Sequence, residues 1–207
     1  VPFLECYSLL HLYYGVPKHC RLCNFPSDTA SHILNGCTKL KNMYQQRHDR
    51  IVNLIYDKVV GRSKVDTVVL KDTFITPDKL GSQNPTFNHP HNRPDIVGID
   101  KKSRTATIVE ISVPFDAHIE KTYTHKFDKY YPLSLEMNQL DYSTRIIILI
   151  VGSLGYVHKR FMSGLKMLNL SSTDAKYMTR YCSNSAVIGS HKTWKIRCKQ
   201  IGYDQSN

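Results

Sequence analysis

Long apolar runs are missing from this 207-residue chain. None reaches the about 18 residues that a membrane-spanning helix needs, so no transmembrane helix and no membrane partner are expected. The apolar, aromatic stretch from Phe3 to Val16 has neither a basic leader nor a small-residue cleavage site, which argues against a signal peptide. The chain opens on Val1 rather than methionine, and the expectation is a piece of a longer protein, with that stretch docking upstream chain. Internal repeats are absent, which excludes a repeat architecture. Acidic residues are scarce, 17 Asp and Glu against 28 Lys and Arg, for a net charge of +11. A basic surface can be merely soluble, but an excess this large, accompanied by 13 tyrosines, favours a polyanionic partner. Cysteines number six and are unevenly placed, at positions 6, 20, 23, 37, 182 and 198. That pattern fits a metal cluster in a reducing, intracellular setting better than a secreted disulfide framework.

What is present organises the chain into four parts. Residues 1–17 are a lead-in from upstream chain, and residues 18–40 a compact Cys/His unit. The catalytic core is expected over 41–170 and a C-terminal helical extension over 171–207. Hydrophobic residues make up 41%, enough for a real core. From Lys41 to Val60 the apolar residues Met43, Ile51, Leu54, Ile55 and Val59 recur at helical spacing, with Gly61 as the stop. Val65 to Leu70 reads as a short strand. Five prolines and glycines between 76 and 94 mark a loop. Asp95 to Ile99 and Thr105 to Val113 read as strands joined by the polar Lys101-Lys102-Ser103-Arg104, and Pro114 ends the second. Ala117 to Tyr131 reads as a helix ending before Pro132, Arg145 to Val151 as a buried strand, and Tyr156 to Leu170 as an amphipathic helix. A last helix starts at Ser172 and runs to about Ser183, with the tail from Ile188 ambiguous. The predicted class is a mixed α/β fold, a central mixed sheet flanked by helices.

Cys20-x2-Cys23-x8-His32-x4-Cys37 supplies three thiolates and an imidazole at spacings that match tetrahedral Zn²⁺. All four positions are filled, so the zinc is expected to be structural. With Lys18, Arg21, Lys39 and Lys41 around it, this knuckle either touches nucleic acid or braces the neighbouring helix.

Glu110 stands in the apolar run Ile108-Val109-Glu110-Ile111-Ser112-Val113, and Asp95 precedes it by fourteen intervening residues. Burying a carboxylate costs several kcal/mol without compensation. A hard cation such as Mg²⁺ or Mn²⁺, held by both acids and by the Ile111 carbonyl, would compensate it. Acids on adjacent strands with a lysine downstream are how metal-dependent nucleases of the restriction-endonuclease, PD-(D/E)xK, type are built. The usual lysine position, two after Glu110, is occupied by Ser112. Lys126, Lys129 and Tyr130 share a face of the next helix, from which Lys126 can reach the site to orient or deprotonate water or to stabilise the phosphorane. The alternatives are a solvated helix face for the lysines, a turn role for Asp95 and a strand edge for Glu110. Asp116 and Glu120 are lesser candidates for the site, since acids at a helix N-terminus usually serve its dipole. Arg47, His48 and Arg50 form a dense polar group that contacts phosphate or the knuckle or lies on a solvated face, and Arg93 adjoins Pro94-Asp95 as a further nucleic-acid contact.

Taken together these residues resemble the C-terminal region of site-specific non-LTR retrotransposon polyproteins, which carry a CCHC zinc knuckle and a restriction-like endonuclease behind the reverse transcriptase. The resemblance rests on Cys20, Cys23, His32 and Cys37 with His32-Ile33-Leu34, on Arg47-His48 and Arg50, and on Arg93-Pro94-Asp95. It continues through Glu110 and Lys126-x-x-Lys129-Tyr130 to Val151-Gly152-Ser153-Leu154-Gly155, covering roughly residues 18–155. It implies that Lys126 takes the displaced lysine's role. It also implies one-strand nicking of target DNA, exposing a 3′-hydroxyl that primes reverse transcription of element RNA. A nuclear location and an upstream reverse transcriptase domain of the same polyprotein follow from it. Glu110 stands where that family often has aspartate, and residues 156–207 carry no shared motif. A catalytically silent nucleic-acid-binding module and a zinc-braced domain that only docks the reverse transcriptase are the competing readings.

Overall fold

The computed structural model describes residues 19–63, 66–82, 87 and 89–202. The expected lead-in, Lys18 and the strand start at Val65 lie outside them. Helix α1 spans Lys41–Val60; of the positions its periodicity marked, Ile51 and Ile55 are buried and Met43, Leu54 and Val59 half-buried, while Val52 is buried as well. Strands β1 (Thr67–Lys71), β2 (Ile96–Asp100), β3 (Thr105–Ser112) and β4 (Ser143–Ile150) form one four-stranded sheet in the order β1-β2-β3-β4. The first two pairings are antiparallel and β3 to β4 is parallel. The fold is therefore mixed α/β, as the sequence pattern predicted. In the β2–β3 connection the Asp100 carboxylate accepts from the Lys102 and Ser103 amides at 3.0 and 2.9 Å, an Asx turn that Arg104 completes at φ 50°.

Side chains alternate across the sheet and sort into two apolar layers. On one face Ile96, Val109, Ile111, Ile147 and Leu149 pack with α1, with α3 (Phe161–Met167) and with α4 (Ser172–Gln200). On the other, Val97, Ile99, Ala106 and Ile108 meet Tyr130, Leu133 and Met137 of α2 (Ile119–Asn138). β3 is thus covered on both sides, and Glu110, which shares the α2 face with Ile108, is only 4% exposed.

Three boundaries differ from the sequence expectation. Helix α2 does not stop before Pro132 but runs through it to Asn138. The proline removes one helical hydrogen bond, yet Leu133 and Met137 beyond it are fully buried, and that burial outweighs the break. The helix expected from Tyr156 begins only at Phe161. Residues before it continue the edge of β4: Val157 bridges Val151, and the His158 amide donates to the Ile150 carbonyl at 3.1 Å. The Asp116 carboxylate holds that loop by accepting from the Leu154 and Tyr156 amides at 2.7 and 3.0 Å. Gly152 makes room for it, since a Cβ there would lie 2.1 Å from Asp116 Oδ1. Finally, α4 does not end near Ser183 but continues unbroken to Gln200. Its Ala175, Met178, Cys182 and Ala186 sit in the main core, so this helix is built into the fold.

Candidate active site

The antiparallel register pairs Ile96 with Val109, so the chain just before β2 brings Asp95 opposite Glu110. Asp95 Oδ2 accepts from the Ile111 amide at 2.7 Å, which fixes the carboxylate against the end of β3. Lys126 reaches in from α2, its Nζ donating to Glu110 Oε1 at 2.5 Å. Burial pushes the Glu110 carboxyl above its ordinary range and the charge of Asp95 pushes it further, while Lys126 and Lys129 pull it back. Tyr130, 1% exposed, donates from its hydroxyl to the Arg93 carbonyl at 3.0 Å and accepts from Lys129 Nζ at 3.0 Å. That chain ties α2 to the segment that delivers Asp95. Burial raises the Tyr130 phenol well above its usual value, with Glu110 adding to the effect. All five candidates, Asp95, Glu110, Lys126, Lys129 and Tyr130, therefore face one place.

His48 enters from the opposite layer. Its Nε2 lies 3.2 Å from the Ile111 carbonyl and 3.4 Å from Asp95 Oδ2. Burial alone would lower its pKa, but the bonds to Asp95, to Asp49 and to the Ile111 carbonyl lift it to about 9. The sequence marked His48 as a polar helix residue near phosphate; its place among the carboxylates was not legible.

The other expected contacts separate. Arg50 is exposed on α1. Arg93 is exposed but engaged: its guanidinium donates to Asp72 Oδ2 at 2.8 Å and lies over the Phe74 ring. Arg47 is a correction. It is 3% exposed, and its guanidinium donates to the Leu34 and Val113 carbonyls at 3.0 and 3.3 Å and to Ser190 Oγ at 2.7 Å. Gly189 leaves space for its stem, since a Cβ there would sit 2.6 Å from Arg47 Cγ. Arg47 therefore clamps the knuckle, β3 and α4 together and offers nothing to a phosphate. Arg47→Met should cost about 2–4 kcal/mol by stranding these acceptors. A lower urea midpoint is the expected result. Asp116 and Glu120 lie elsewhere as well: Asp116, in the turn between β3 and α2, accepts from the loop after β4, and Glu120 stands against His158 Nε2 at 3.2 Å.

The metal-ligand cluster is assembled. One donor atom from each of Cys20, Cys23, His32 and Cys37 lies within 4.8 Å of the others. Cys20 Sγ and Cys37 Sγ are 3.8 Å apart, and Cys23 Sγ is 3.2 Å from His32 Nε2. Ligands about 2.3 Å from a tetrahedral zinc stand about 3.8 Å from one another, so the donors fit the ion. The Phe25 ring stacks on His32 at 4.6 Å. Tyr44 of α1 donates to the Ile33 carbonyl at 2.7 Å, and buried Asp28 pairs with buried Arg197 of α4. These contacts brace the knuckle against the fold.

No protein-family model matches the chain, and no curated protein matches it either. Among solved structures, the N-terminal domain of a reptarenavirus L protein is similar at 16% identity, over 95% of this chain and 94% of that one, with a TM-score of 0.42. A likeness that loose carries no functional weight; the chemistry must come from the residues themselves. No helix among the described residues is long and apolar enough to cross a membrane.

Proposed function

We propose that this chain is a divalent-metal-dependent DNA endonuclease of the restriction-like kind. In this reading it nicks target DNA in a non-LTR retrotransposon polyprotein, in the nucleus, to expose the 3′-hydroxyl that primes reverse transcription. The observation that carries it is the meeting of Asp95, buried Glu110 and Lys126, three groups from three elements with no purely structural need to share one place. Asp95 and Glu110 would hold Mg²⁺ or Mn²⁺, their paired negative charge in a half-buried site being what a hard cation relieves. The cation's contribution is Lewis-acid polarisation of the scissile phosphate. Lys126 then exchanges its bond to Glu110 for the attacking water or a phosphate oxygen, and orients the one or neutralises the other. Lys129 and Tyr130 hold the Arg93-Pro94-Asp95 segment in register.

The surface supports a polyanionic substrate. Lys176, Arg180, Lys192, Lys195 and Lys199 are exposed along α4, where Asp174 is the only acid and pairs with Arg62 at 2.7 Å. Phosphate contacts of this sort make affinity fall steeply with salt. The deciding experiment is conversion of supercoiled plasmid to open circle by zinc-loaded protein with Mg²⁺ or Mn²⁺. Asp95→Ala should slow nicking by about 10²–10³-fold or more, the scale of losing one electrostatic stabiliser. Equal rates for variant and parent would remove the assignment, leaving a binding module.

A further inference from the structure

We propose that His48 is a direct ligand of the catalytic cation, completing a mixed nitrogen–oxygen site with Asp95 and the Ile111 carbonyl; this rests on the endonuclease reading. Three geometric facts carry it. First, His48 Nε2 stands 3.2 Å from the Ile111 carbonyl oxygen and 3.4 Å from Asp95 Oδ2. Adjacent ligands of an octahedral cation with bonds of about 2.1 Å are about 3.0 Å apart, so the observed separations are already wide enough to admit the ion and need only a small inward adjustment. Second, the far ring nitrogen is already committed. Nδ1 lies 3.1 Å from Asp49 Oδ1, and Gln45 Nε2 donates to that same oxygen at 2.6 Å. A histidine that gives one ring nitrogen to a carboxylate and points the other at a cation is the usual orienting arrangement in metal sites, and the proton that Nε2 shares with its oxygen acceptors leaves to solvent as the ion binds. Third, His48 comes from α1, across the sheet from the helix that supplies Lys126, so the imidazole and the amine approach from opposite sides.

The chemical consequence is metal choice. A site of carboxylates, carbonyl and water suits Mg²⁺, whereas an added imidazole draws it toward Mn²⁺ and later divalent ions. The chain should bind Mn²⁺ more tightly than Mg²⁺, and His48 should be the source of the difference.

The test is pulsed EPR and calorimetry on the full zinc-loaded chain with Mn²⁺ alone. Bound Mn²⁺ should show the ¹⁴N coupling of a directly attached imidazole. His48→Gln, which keeps hydrogen-bonding capacity, should lose that coupling and weaken Mn²⁺ binding at least about 10-fold while changing Mg²⁺ binding much less. Mn²⁺ bound by the parent protein without ¹⁴N coupling overturns the proposal, and needs no variant to fold. Unchanged Mn²⁺ affinity in His48→Gln alongside its loss in Asp95→Ala also overturns it, but leaves the carboxylate site standing. Unchanged affinity in both variants overturns the carboxylate site as well.

Discussion

Lys126→Met should slow nicking by about 10²–10⁴-fold, the usual weight of a positioned proton-transfer group or charge stabiliser. It should also change how the protein responds to pH and metal, because Lys126 is the ion-pair partner of a carboxylate with 5% side-chain exposure. Without the amine, Glu110 faces Asp95 in a buried place and its carboxyl, already raised by burial and by Asp95, rises further. A carboxyl whose folded pKa lies above its unfolded value stabilises the fold where it is protonated, and that contribution is lost as pH climbs through the folded value. In the presence of a chelator, Lys126→Met should therefore melt lower than the parent at neutral pH and approach it as pH falls toward the ordinary carboxylate range. The neutral-pH cost is expected to be about 2–3 kcal/mol, somewhat below the range for breaking a fully buried pair, because Lys126 is itself a quarter exposed. Adding Mn²⁺ at neutral pH should restore much of it, since a cation replaces the missing positive charge. A variant that loses activity but melts identically under all these conditions would show that Lys126 and Glu110 do not interact in solution.

The site's acids were readable because a carboxylate inside Ile108–Val113 violates the strand pattern, and only a compensating group explains such a violation. The cysteine spacing was readable for the same kind of reason: ligand chemistry constrains it more tightly than packing does. Strand β4, with its run of isoleucines, needed no context. Helix α4 was harder, because its buried face includes Ser185, Ser190, Thr193 and Arg197, which blur the apolar period from which a helix is recognised. Arg47 was misleading for a related reason. A guanidinium between charged neighbours looks like a surface group, and its acceptors at Leu34, Val113 and Ser190 come from segments up to 143 positions away. His48 beside it illustrates the converse: local pattern places it on a helix, while its partner Asp95 is set by tertiary structure. Pro132 shows the limit of local rules, since its lost hydrogen bond is small against the burial of Leu133 and Met137.

Removing the knuckle's metal should have the largest effect on stability, and the effect should reach well beyond residues 19–40. The unit's own buried residues are few, among them Cys20, Ile33, Leu34, Cys37 and Leu40. Ion binding worth about 10–16 kcal/mol in isolated zinc peptides is the term that holds such a unit folded. Its collapse would strip Tyr44 and Arg47 of their carbonyl acceptors at Ile33 and Leu34. It would also take Asp28 away from Arg197, both fully buried side chains, and leave a guanidinium inside α4 facing a low-dielectric interior. Breaking a buried pair this way costs about 3–5 kcal/mol, so α4 should loosen together with the knuckle. Chelation, or Cys37→Ser, is thus expected to lower the melting temperature of the whole chain and to speed amide exchange at Cys182, Ala186 and Cys198 as well as at Ile33. Faster exchange confined to residues 19–40, with α4 unchanged, would mean that the knuckle is an independent attachment and that the Asp28–Arg197 pair does not couple it to the core.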